Sequence, residues 1–203
     1  MLLEMKNVSF RYDKKTPWIL QNISFSISNT ERMGLIAPSG FGKTTLCKLL
    51  AGYETPTKGE ILLDTKPLPK KGYCPVQMIW QHPEMAVNTK LPMKKILEEG
   101  GSISEEMIAK LGIQRQWFSR FAQTLSGGEL QRFCIARALA GNPSFLLADE
   151  ISTMLDLLTQ SQIWHFLLEE VEKRNIGLLV VSHDMELLQK VTTKQIDLQK
   201  TTF

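Results

Sequence analysis

Hydrophobic and polar positions follow two rhythms along the chain. Leu2 to Phe10, Ile19 to Ile27 and Arg32 to Ala37 are short β-rich runs separated by the turn signals Tyr12-Asp13-Lys14-Lys15 and Ser28-Asn29-Thr30, which predicts three strands. A glycine-rich turn then leads into a helix from about Lys43 to Ala51, followed by strands at roughly Gly59 to Leu63 and Tyr73 to Trp80. Pro83 to Leu125 changes character to short, capped helices and reads as an insert. From Gly128 the pattern is a helix, then FLLAD as a continuous apolar strand, a long helix from about Asp156 to Arg174, and IGLLVVS as another buried strand. Wholly apolar strands alternating with helices imply a parallel sheet covered on both faces. Ligands in such folds sit at the carboxyl ends of the strands.

Composition narrows the class without naming a partner. A length of 203 residues, 43% of them hydrophobic, is one domain, or one core with a small insert. No run approaches the roughly 18 apolar residues of a membrane span, and MLLEMKNVSF lacks the basic and long apolar regions of a signal peptide, so a cytosolic protein is expected. Cys47, Cys74 and Cys134 have no metal-ligand spacing and read as reduced thiols without chemistry. A net charge of +3 is too small to argue for nucleic acid or an anionic membrane.

Chemistry enters at three places. APSGFGKT, Ala37 to Thr44, lies between the strand MGLIA and the helix TTLCKLLAG, the context a P-loop requires. Gly40 and Gly42 let backbone N–H groups form an anion nest; Lys43 supplies a point charge for the outer phosphates and the Thr44 hydroxyl a magnesium ligand, with Thr45 beside it. Ala37 stands where the motif usually has glycine: at negative φ its methyl costs little, at positive φ it strains the loop. The strand FLLAD ends in Asp149-Glu150, either a solvated strand end or two carboxylates with separate jobs, Asp149 holding magnesium and Glu150 accepting a proton from an attacking water. IGLLVV ends in Ser182-His183-Asp184, which brings a histidine from a neighbouring strand of the same sheet. LSGGELQR, from Leu125, supports two readings: Ser126 and Glu129 form a capping box, and the bare amides at a helix start form an anion site.

Taken in order, these motifs resemble the nucleotide-binding subunits of ATP-binding-cassette (ABC) transporters over essentially the whole chain. APSGFGKTT, from Ala37 through Pro38, Ser39, Gly40, Phe41, Gly42, Lys43 and Thr44 to Thr45, is similar to that family's Walker A; LSGGELQR, with Ser126, Gly127 and Gly128, to its signature; FLLADE to its Walker B; STMLD to its D-loop; VVSHD to its switch histidine. Gln81, in VQMIWQHPE, falls where the family has the glutamine that reaches the metal and the attacking water. Tyr12, in FRYD, matches the aromatic that stacks on adenine. The stretches around Gln81 and Asp149 look most like cassettes of oligopeptide, dipeptide and nickel importers. The chain departs from that group at Ile151, where proline is usual, in the short stretch from Gln81 to Ser126, and in ending at Phe203 without a C-terminal extension.

The resemblance implies an α/β fold: a RecA-like P-loop NTPase core with an N-terminal antiparallel β subdomain and a short helical insert. Residues 1–203 then form one ATP-binding domain, with 1–84 and 141–203 as β subdomain plus core, and 85–140 as a helical subdomain carrying the signature. It implies ATP and Mg2+ as cofactors. Two cassettes would pair head to tail, identical or paralogous, the Ser126 loop of each covering the ATP on the P-loop of the other. The other implied partners are permease subunits and a solute-binding protein, with no nucleic acid, and the chain would sit peripherally on the inner face of the cell membrane. Lys43 and magnesium would offset γ-phosphate charge while Glu150 or His183 orients and deprotonates water. The rivals are a soluble ABC-type ATPase acting on nucleic acid or ribosomes and a non-hydrolysing nucleotide sensor. Lys94-Lys95 is offset by Glu98-Glu99, which leaves the first without a basic patch. Glu150 and His183 argue against the second.

Overall fold

The computed structural model describes residues 1–153 and 155–199. Met154, inside the STMLD stretch, lies outside the described residues. The first three runs form β1 (Leu2–Phe10), β2 (Leu20–Ser28) and β3 (Arg32–Ile36), and the glycine turn leads into α1 (Lys43–Leu50). Then come β4 (Lys58–Leu63), β5 (Lys66–Pro67) and β6 (Val76–Ile79), the short helices α2 (Met93–Glu98) and α3 (Glu105–Lys110), and α4 (Gly127–Ala140). The chain continues through β7 (Phe145–Asp149), α5 (Leu157–Arg174), β8 (Gly177–Val181), α6 (Met185–Val191) and β9 (Lys194–Asp197). The strand expected over Tyr73 to Trp80 is shorter at its start. Pro75 has no N–H to give a ladder, and its carbonyl instead accepts from the amides of Ser144 and Phe145 at 2.8 and 3.1 Å.

Among the described residues the strands divide between two sheets. An antiparallel sheet has the order β2-β1-β4-β5, and a sheet with parallel pairings has the order β6-β7-β8-β3-β9. Alternation explains why β7 and β8 are apolar throughout. Phe145, Leu147, Leu179 and Val181 face the antiparallel sheet and α1, whereas Leu146, Ala148, Leu178 and Val180 face the side of α2, α4 and α5. The helices of the insert share that second core: Met93, Ile96, Met107 and Trp117 pack in one cluster with Phe133 of α4 and Leu146 of β7. The sheet order places β8 between β3 and β7. The loops after these three strands therefore meet at one carboxyl edge, and they carry Ala37 to Thr44, Asp149-Glu150 and His183.

Candidate active site

The turn between β3 and α1 takes its shape from two glycines. Gly40 and Gly42 have φ of +78° and +82°, and Gly42 is the residue that caps α1. A β-carbon at Gly42 would lie 2.7 Å from Cγ2 of Ile19, so both dihedral and space demand glycine there. Ala37 is not among the residues with positive φ, and its methyl is accommodated without backbone strain. Lys43 is buried and donates from Nζ to the carbonyls of Ala37 and Pro38 at 2.9 and 3.0 Å. With three protons on the ammonium, one remains for a phosphate oxygen. Ser39, Gly40, Gly42, Lys43, Thr44 and Thr45 line a cavity of about 480 Å³ together with Ile19, Glu150 and His183.

Glu150 is held at both oxygens. Gln81 Nε2 donates to its Oε2 at 2.9 Å, and His183 Nε2 lies 2.9 Å from its Oε1. Its backbone is left-handed at φ 49°, a conformation that costs a non-glycine residue about 1–3 kcal/mol and needs the surroundings to enforce it. The Glu150 amide donates to the Val181 carbonyl at 3.0 Å, and the Thr153 hydroxyl to the Glu150 carbonyl at 3.1 Å. This twist turns the side chain out of the apolar strand and toward the glycine turn.

Asp149, one residue back, is 1% exposed, and neither carboxylate oxygen has a partner with hydrogen-bonding geometry among the described residues. Burial raises its pKa, partly offset by the nearby Thr44 hydroxyl and by Lys43 and Lys48. A buried carboxylate with so little hydrogen bonding is costly unless a cation compensates it. An acid and a hydroxyl side by side at the foot of a phosphate cradle are the hard oxygen ligands that suit magnesium, the phosphates and water supplying the rest of its shell.

The base side adjoins the cradle. Tyr12, more than half exposed, lines a cavity of about 680 Å³ with Trp18, Ile19, Gly40 and Phe41, and its ring stands edge-on to Phe10 at 4.9 Å and 84°. Trp18 escapes sequence reasoning, as does Ile19, which lines both cavities. Neither offers a chemical signal, and only the approach of the connection between β1 and β2 to the glycine turn places them. Arg11 lies 4.4 Å from the centroid of Trp18, a cation–π contact that holds the indole.

Ser126, Gly127 and Gly128 sit elsewhere. The capping box is formed: Ser126 Oγ accepts from the Glu129 amide at 3.2 Å and Glu129 Oε2 from the Ser126 amide at 2.7 Å. These residues line a separate cavity of about 500 Å³ with Gln114, Arg132 and Asp156, which contains none of the residues of the glycine turn. One chain thus assembles Lys43, Thr44, Thr45, Gln81, Asp149, Glu150 and His183 at one edge, sets Tyr12 beside them, and leaves the Ser126 loop apart.

A phosphate cradle between strand and helix, with a buried acid below it and a clamped carboxylate facing it, defines a P-loop nucleotide-hydrolysing protein. Its particular kind follows from comparison with known proteins. The ABC transporter family matches residues 20–153. The nickel import system ATP-binding protein NikE of Staphylococcus aureus (strain bovine RF122 / ET3-1) is 30% identical over 212 aligned positions, covering 98% of this chain and 87% of that protein, and NikE of strain USA300 matches to the same extent. The ATP-binding cassette MJ0796, in a dimeric post-hydrolysis state bound to ADP and Pi, superposes with a TM-score of 0.81 at 23% identity, over 96% of this chain and 93% of that one. A bacterial Atm1-family ABC exporter with ATP bound gives 0.81 at 24% identity, over 97% of this chain and 37% of that one. The chain belongs to the ABC transporter family. It is an ABC-type ATPase subunit with the P-loop NTPase fold expected from its motifs.

Proposed function

We propose that this chain binds ATP with magnesium and hydrolyses it within a dimer of cassettes, and that attached permease subunits convert the opening and closing of that dimer into uptake of nickel complexes or peptides. The observation that carries the hydrolytic part is the clamp: Glu150, oriented by Gln81 and His183 at 2.9 Å each, lines the cavity whose floor is Lys43 and Thr44. ATP would lie with its base against Tyr12 and its phosphates on the amides of Ser39 to Thr45. Lys43 neutralises charge on the outer phosphates, and Glu150, positioned by its two partners, takes the proton of the attacking water. Thr44, Asp149 and Gln81 would hold magnesium, which would supply neutralisation of phosphate charge. Cassette pairing is supported by the split between the two cavities: the helix start at Ser126, Gly127 and Gly128 lines a cavity that no phosphate on the same chain's P-loop would meet.

Nickel as cargo is supported by the NikE relatives, and the peptide alternative by the sequence resemblance around Gln81 and Asp149. Among the described residues no helix is long and apolar enough to cross a membrane, so the proposed place at the inner face of the membrane depends on permease subunits. Residues 85–140 would form the helical subdomain, and its Met85 (72% exposed) and Phe121 (44%) provide apolar surface for a permease. A solute-binding protein outside the membrane would complete the importer.

The test is Glu150→Gln in the full chain, assayed with its permease subunits. ATP affinity, measured by titration, should be retained, whereas turnover falls at least about 100-fold, the usual scale for loss of a general base. Unchanged turnover removes Glu150 from the chemistry.

A further inference from the structure

The signature helix α4 grips the chain on both sides of Gln81. Gln131, 2% exposed, donates from Nε2 to the main-chain carbonyl of Trp80 at 3.2 Å. Cys134, on the same helical face three residues later, donates from Sγ to the Pro83 carbonyl at 3.7 Å. Burial pushes the Cys134 thiol up to about 12, so its S–H remains a donor at neutral pH. The segment between these two carbonyls holds Gln81, whose side chain donates to Glu150. The Trp80 ring is fixed from a third direction. It meets Tyr53 edge-on at 5.2 Å, and Lys48 Nζ lies 5.3 Å from its centroid. Lys48 belongs to α1, the helix of the phosphate cradle. Trp80 is therefore the junction where the phosphate-binding helix meets the helix that starts at Ser126.

We propose that Gln131 is a positioning residue for ATP hydrolysis: through the Trp80 carbonyl it fixes the backbone that carries Gln81, and so the hold of Gln81 on Glu150. Displacement of α4 when its N-terminus engages a phosphate is then transmitted to the Glu150 carboxylate through the Gln131 side chain, with the Cys134 contact holding the far side of the segment. The residue type suits the task, because an amide donates without bringing a charge into a buried position, whereas a buried lysine or arginine would need a compensating anion. Gln131 acts only through Gln81 and touches no nucleotide. The inference rests on the proposed role of Glu150 in hydrolysis.

The experiment is a double-mutant cycle on the full chain with its permease subunits, using Gln131→Met, which keeps length and volume but removes the donor, and Gln81→Ala. Gln131→Met should lower kcat about tenfold with KM for ATP and ATP affinity unchanged, and adding it to Gln81→Ala should lower kcat no further. Losses that multiply in the double variant overturn the proposal, as does a fall in kcat that only tracks the folded fraction in thermal melts. Gln131→Asn, which withdraws the amide by one methylene, gives the same cycle if Gln131→Met does not fold. If the parent assembly does not hydrolyse ATP, the functional reading fails separately, and amide hydrogen exchange across residues 80–82 decides the inference: faster exchange in Gln131→Met supports it and unchanged exchange overturns it.

Discussion

Single residues set the limits of the phosphate cradle, and they do so unequally. Gly42 and Ala37 both belong to the glycine-turn motif, yet only Gly42 has a positive φ and a neighbour, Ile19, that fills the space a β-carbon would need. Alanine in a left-handed conformation costs about 1–2 kcal/mol, before the overlap with Ile19 is relieved by moving the turn. Since about 1.4 kcal/mol is a factor of ten, Gly42→Ala should weaken ATP binding at least about tenfold in a fluorescence titration. Ala37→Gly should leave affinity within about twofold and lower thermal stability slightly, because glycine only adds freedom to the unfolded chain there. A large gain in affinity from Ala37→Gly would show the alanine methyl to be obstructing the cradle. Glu150 is the opposite case, the side chain proposed as the base held in a conformation glycine would prefer, and its strain is enforced by the bonds to Val181 and Thr153.

Helix ends and strand runs are where sequence and structure agree best, for reasons that differ by element. Burial on both faces writes itself as uninterrupted apolar letters, so β7 and β8 could be read directly, and Asp156 announces the start of α5 by its side chain. Its Oδ1 accepts from the Thr159 amide at 3.0 Å, and that bond holds its carboxyl below the ordinary range. A depressed acid stabilises the fold above its unfolded value, and the contribution is lost as pH falls through its lowered native value. Asp156→Ala should therefore lower the melting temperature at pH 7, by circular dichroism, and the gap to the parent should narrow below the ordinary carboxylate range. A gap that stays constant well below that range would mean the charged cap is not what stabilises α5. Past Asp184 the sequence predicts no element, yet α6 and β9 form. The four residues of β9, two exposed and two half-buried, sit at a sheet edge and carry no clear period. Strand order was equally hidden, because β3 pairs with β8 across most of the chain, Arg32 opposite Leu178. At the site, residue types were legible from their motifs, but the clamp on Glu150 was not: it joins residues 69 positions apart and depends on a backbone twist that letters do not encode.

At the scale of the molecule, the separation of the two cavities decides what one chain can do alone. A lone chain holds a glycine-turn cavity lined by Glu150 and, in another place, a capped helix start. If the second serves a partner's ATP, damage to the two features should be separable and complementary. Gly128 lies in the first turn of α4, where an acidic side chain favours the helix dipole; among the described residues a β-carbon there would meet Leu155 Cδ2 at 3.1 Å, a flexible end that can shift. Gly128→Asp should accordingly fold and bind ATP like the parent, while its carboxylate repels the partner's γ-phosphate and removes hydrolysis. Lys43→Ala should lose ATP binding and hydrolysis but keep an intact signature loop. Mixing the two inactive chains in equal amounts should restore roughly a quarter of parental activity, since half of randomly paired dimers are mixed and each has one intact composite site of two. The recovery should rise with protein concentration as dimers form. No recovery at any concentration, with both variants shown by sedimentation to pair, would assign the Ser126 loop to its own chain's fold rather than to a shared site.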